Sequence, residues 1–251
     1  MRRIGTLLVT ALMGASFTGL IAPAALAAPA TECTTTITGG TTGPLVVPEG
    51  ETCTLVGVTV NGNVRVEAGA SLFTNDLDGD NTTINGSVRG RDAQTVRLID
   101  TDVIGTGTTG NINLQGTIGP IVIGVEGCAV DPMVGNNITL LNNLGSIAIC
   151  QMTVGETIVL QGNAKNIGVF DNVIGNSLNI IGNTGDFTRV RNNDVGVTQG
   201  GSLNVKNNDS DVRLRNNTVN NRLACSGNTP PPSGGGNTAG SGLSGQCKDL
   251  G

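Results

Sequence analysis

The chain reads SLNIIGN at residues 177–183 and SLNVKNN at residues 202–208. Two near-copies of one heptad mark a structural repeat. In each copy the apolar residues alternate: Leu178 and Ile180, then Leu203 and Val205. Alternation of this kind is a short strand with one buried face. The first apolar position recurs at Val64, Val88, Ile112, Ile138, Ile158, Leu178, Leu203 and Leu223, at spacings of 24, 24, 26, 20, 20, 25 and 20. Two residues on, a second series runs Val66, Leu114, Leu140, Leu160, Ile180, Val205 and Cys225, with Gly90 the exception.

Each unit holds two further apolar marks. One falls at Ile147/Ile149, Ile167/Val169, Val190 and Val212/Leu214, the other at Val60, Ile84, Val103, Val154, Ile174, Val195 and Val219. Gly, Asn and Asp fill the gaps, as turns require. The pattern predicts an all-β chain: a single-stranded parallel β-helix, or solenoid, of about eight coils with three short strands each. Asn143, Asn163, Asn183, Asn208 and Asn228 form a column at the same spacings, and Asn172, Asn193 and Asn217 a shorter one. Asn tolerates left-handed turns and bonds to its copy on the next coil. We read both columns as internal turn ladders, not as a displayed ligand array.

The N-terminal stretch 1–27 carries Arg2 and Arg3, an apolar run, and Ala25-Leu26-Ala27. That is the pattern of a secretory signal peptide. Residues 28–225 are then the β-helix domain, and 226–251 a Pro/Gly-rich irregular cap. No later stretch has the length of a membrane span, so no membrane insertion is expected. Beyond the signal the charge is 12 basic minus 19 acidic residues, or −7. This argues against nucleic-acid partners, which want a basic surface. With no His, Trp or Tyr in the chain, imidazole-based catalysis and His-ligated zinc are excluded. Aromatic stacking of sugar rings has little to draw on.

Cys33, Cys53, Cys128, Cys150, Cys225 and Cys247 fall into sequential pairs, and the gap within each pair is close to one coil. Stacked coils bring such residues to the separation a disulfide needs. The expected pairs are Cys33–Cys53, Cys128–Cys150 and Cys225–Cys247, the first and last clamping the open ends. With disulfides and a signal, the expected setting is secreted or extracellular.

TCTLVGVTVNGNVRVEAGASL near the start, and NNRLACSGNTPPPSGGGNT with GQC near the end, resemble a group of small exported actinobacterial proteins. These are right-handed parallel β-helices of mostly unassigned function, with the same end-capping cysteines. The resemblance spans roughly residues 33–251 and is more distant to the pectate-lyase-like superfold. It implies a right-handed helix and export, and it carries no catalytic residue.

Three features are candidate sites. NDLDGDN, residues 75–81, sets Asp76, Asp78 and Asp80 at alternate positions, as in a calcium loop. Its EF-hand glycine position holds Asn81, and its twelfth position holds Ser87 instead of Glu. The register places Asp102 beside Asp76, which would complete an oxygen site for Ca²⁺. Set against this is a plain acidic, solvated loop. FTRVRNN and DVRLRNN put Arg189, Arg191, Arg213 and Arg215 outward on neighbouring coils, with Lys206 on the second of these coils. Guanidinium forks suit carboxylate or phosphate, unless Asp186, Asp194 and Asp211 neutralise them. Loop insertions at Gly105–Gly110, Glu126–Asn137 and Gly196–Gly201 are expected after the third strand of a coil, along one edge.

The expected function is a monomeric structural or binding protein of the extracellular space or cell envelope. Its partner would be an anionic polysaccharide or wall polymer. The alternative is a polysaccharide lyase or hydrolase, with Arg89 or Arg91 near the Asp76–Asp102 area, or Asp100 with Asp102 as a carboxylate pair.

Overall fold

The computed structural model describes residues 29–251 apart from 76–80, 106, 108 and 125–131. The proposed signal peptide, Asp76, Asp78, Asp80 and Cys128 therefore lie outside the described residues. What is described is all-β: 31 short strands in three parallel sheets of eleven, ten and ten strands. Every strand pairs with the one three earlier and the one three later, so the chain visits the first, second and third sheets in turn. This is a right-handed parallel β-helix of about ten turns.

The coil count exceeds the eight read from periodicity. Leu45 and Leu243 extend the first apolar column at its two ends, opposite Val64 and Leu223. The residues after 225 are not irregular throughout. Strands Ser233–Gly235, Thr238–Ala239 and Leu243–Gly245 add one strand to each sheet. Gly234 and Gly245 stand where Leu214 and Cys225 stand one coil earlier. Without side chains there, no hydrophobic alternation marks the strand.

The interior is aliphatic. Val64, Val88, Ile112, Ile138, Ile158, Leu178, Leu203 and Leu223 are all fully buried, each in register with the next. Burying each such side chain is worth about 1.5–3 kcal/mol. Repetition along the axis replaces the bulk that aromatic residues give an ordinary core.

Two corners of the coil use one device: a residue with positive φ, then a buried Asn. Between the first and second sheets these pairs include Asn142-Asn143, Gly182-Asn183 and Asn207-Asn208; between the second and third, Asp171-Asn172, Asn192-Asn193 and Asn216-Asn217. Asp, Asn and Gly are the residues that adopt this conformation at least cost. The buried Asn then ties coil to coil. Asn163 donates from its backbone N–H and from Nδ2 to Asn183 Oδ1, at 2.9 and 3.0 Å. Its Nδ2 also reaches Leu140 O. The first ladder ends on Gln246, whose Oε1 accepts from Asn228. The second gains Asn237 and ends on Leu250 O. The ladders are thus internal.

The third corner needs small residues. A Cβ on Gly175 would lie 2.0 Å from Gly155 O, and one on Gly155 would lie 2.1 Å from Gly135 O. Disulfides Cys33–Cys53 and Cys225–Cys247 staple the two ends, each with Cα atoms 5.3 Å apart. Cys150 lies on the second sheet, and its expected partner is outside the described residues.

Candidate functional site: an arginine surface on the second sheet

Strands Phe187–Arg191 and Asp211–Arg215 are neighbours in the second sheet. Thr188, Val190, Val212 and Leu214 are buried, so the alternate residues face water. Arg189 is in register with Arg213, and Arg191 with Arg215. The four guanidinium groups surround a hollow of about 270 Å³. Like charges directly opposite in a sheet repel.

Neutralisation is partial. Arg213 donates from Nε and Nη2 to Asp211 Oδ2, at 3.0 and 2.8 Å. Among the described residues, Arg189, Arg191 and Arg215 make no ion pair, and neither Asp186 nor Asp194 joins the group. Two of these arginines rest on aromatic rings instead. The Arg189 guanidinium lies 4.3 Å from the centre of the Phe187 ring, and that of Arg191 lies 4.7 Å from Phe170. Such contacts hold an extended side chain without cancelling its charge. Lys206 is on the first sheet, so it faces elsewhere.

The aromatic residues were missed as a feature. After Ala28 the chain has three: Phe73, Phe170 and Phe187. All three belong to strands of the second sheet, and none is in the buried core. A second hollow of about 290 Å³ adjoins the arginines, lined by Val122, Ala148, Gly168, Phe170 and Phe187. The Phe170 ring folds back over Gly168, where a Cβ would come within 2.5 Å of it. All three rings are on the second sheet, but only Phe170 and Phe187 lie beside the arginines; Phe73 is four strands away from Phe170. The signal was in the strand pattern: Phe73 lies between inward Leu72 and Thr74.

Of the acidic site, only Asp102 is among the described residues. Asp102 lies in the third sheet opposite Thr83. Its Oδ1 accepts a hydrogen bond from Met133 N–H at 2.8 Å. Among the described residues, no group of three acidic or sulfur side chains could hold a metal. Asp100 occupies a positive-φ corner, as Asp171 and Asn192 do. Arg89 and Arg91 stand on the first sheet and Asp102 on the third.

The insertions also divide differently. Those at Gly105–Gly110 and Gly196–Gly201 follow third-sheet strands Thr101–Val103 and Asp194–Val195, as expected. The one at Glu126–Asn137 begins after the second-sheet strand Ile121–Gly124, so the three do not share an edge.

The chain is a parallel β-helix protein with a cationic, ring-supported surface. No family model, no curated protein and no solved structure matches it. No helix among the described residues is long and apolar enough to cross a membrane.

Proposed function

We propose that the protein is a non-enzymatic binding or structural component of the extracellular space or cell envelope, and that it holds an anionic glycan or wall polymer on the arginine face of the second sheet. One observation carries the reading: Arg189 and Arg191 stand in register with Arg213 and Arg215, with a carboxylate on only one of the four. A ligand with closely spaced carboxylates or phosphates relieves that repulsion and takes the guanidinium forks. Phe170 and Phe187 give the non-polar face of a sugar ring a surface beside the charges. Two end-stapling disulfides fit an oxidising compartment. The resemblance to exported β-helix proteins points the same way.

The test is co-sedimentation of the protein with purified envelope and with immobilised polyuronate and polyphosphate. Binding that weakens by at least about tenfold when all four arginines are changed to Ala supports the reading. Equal binding by the variant overturns it.

A further inference from the structure

The arginine design occurs twice. In the first sheet, strands Val64–Val66 and Val88–Arg91 are neighbours, and Arg65 is in register with Arg89. Arg65, Arg89 and Arg91 flank a hollow of about 330 Å³, with Gln115, Thr139 and Leu141 on its far side. Arg65 Nη2 lies 2.9 Å from Glu67 Oε1, two residues along its own strand. Arg213 is held in the same way by Asp211, two residues back on its own strand. In both clusters the in-register neighbour, Arg89 or Arg189, has no carboxylate within ion-pair distance among the described residues. Gly90, between Arg89 and Arg91, leaves the inward column without a side chain at this coil. Leu114 fills that space, its Cδ2 3.0 Å from where a Cβ on Gly90 would stand.

The two clusters hold seven of the nine arginines that follow Ala27. They lie on different sheets. Their centres lie about five coils apart, roughly 24 Å along the axis at ~4.8 Å per coil. The rest of the molecule carries the acidic excess, which repels a polyanion everywhere else.

We propose that the first-sheet cluster is a second polyanion site, and that the rod is bivalent, bridging two anionic polymer strands or two stretches of one. The ligand class rests on the function proposed above; the placement of the second site does not. Two sites on one rigid body raise apparent affinity for a polymer without any new contact, and they cross-link when separate strands occupy them.

The experiment uses the whole protein, long-chain polyphosphate and a soluble polyuronate, so that a phosphate and a carboxylate ligand are told apart. Light scattering is followed as polymer is added, and affinity for immobilised polymer is measured in parallel. Wild type, an Arg89→Ala/Arg91→Ala variant and an Arg189→Ala/Arg191→Ala/Arg213→Ala/Arg215→Ala variant are compared. All these side chains are on the surface, so matching melting curves confirm intact folds.

The expected result is scattering by wild type that rises and then falls in polymer excess. Each variant still binds, at least about tenfold more weakly by loss of one of two linked sites, and gives no maximum. A first-sheet variant that scatters and binds like wild type overturns the second site and leaves the proposed function standing. A second-sheet variant indistinguishable from wild type, with binding lost in the first-sheet variant, overturns bivalency and the assignment of binding to the second sheet. Failure of wild type to bind either polymer overturns both readings.

Discussion

Arg189 and Arg213 stand side by side on neighbouring coils, yet only Arg213 is tied to a carboxylate. Asp211 therefore restrains the surface that it borders. Asp211→Asn frees Arg213 and removes the one negative charge bonded to the group. Affinity for polyphosphate or polyuronate is expected to rise, by up to about fivefold if the exposed pair is worth up to ~1 kcal/mol. A binding titration at fixed ionic strength reads this. The gain should shrink as salt is added, because exposed charges are screened.

The rings beneath Arg189 and Arg191 lead to a second prediction. Phe170→Leu removes the aromatic face 4.7 Å from the Arg191 guanidinium. It leaves the charge count unchanged. The cation–π contact is worth about 0.5–1 kcal/mol at an exposed site. Polymer affinity is expected to fall by about two- to fivefold, with little change in the melting temperature.

The buried ladders make a sharper claim about stability. Asn183 Oδ1 accepts two bonds from Asn163, and Asn183 Nδ2 donates to Leu160 O and Asn208 Oδ1. Asn183→Ala leaves two buried donors on Asn163 without their acceptor. Each orphaned group costs about 1–3 kcal/mol, so a loss of about 3 kcal/mol or more is expected in urea unfolding. The partly exposed Asn179→Ala is the control, expected within about 1 kcal/mol of wild type.

Disulfide removal should act locally. Cys225→Ser/Cys247→Ser opens a cross-link at the end of the rod whose two cysteines are separated by 22 in sequence. A bridge of that loop size stabilises by about 3 kcal/mol. In a solenoid each coil touches only its neighbours. Hydrogen exchange should therefore accelerate first around residues 223–251 and leave the central coils protected. Uniform acceleration along the chain would contradict this.

The third corner predicts a steric effect with no chemistry in it. Gly175→Ala puts a methyl group 2.0 Å from Gly155 O, where neither backbone can yield without separating two coils. A loss of about 1–3 kcal/mol is expected, as for overpacking in a core. Thermal melting of the purified variant checks it.

Sequence alone determined the period, the core columns and both asparagine ladders, because one coil must match the next. Val64 through Leu223 recur in the text for the same reason that they stack in space: each strand pairs with its copy one coil away. The spacing of Cys33–Cys53 and Cys225–Cys247 carried the end staples for that reason too. The terminal coils were not legible, because Gly234 and Gly245 write no alternation even while their backbones complete the ladder.

The tertiary structure decided what the period leaves free. A repeat fixes which residues stack but not where an insertion leaves the coil, so Asp102 came to face Thr83 and the Glu126–Asn137 insertion left from another corner. It also decided which charges are paired. Asp186 and Asp194 stand three residues from the nearest arginine and Asp211 two, and only Asp211 lies on the same strand face as Arg213 and reaches it. The repeat already put Arg189, Arg191, Arg213 and Arg215 outward on neighbouring coils; only the register of the first sheet sets Arg65 beside Arg89 as a second cluster on another face.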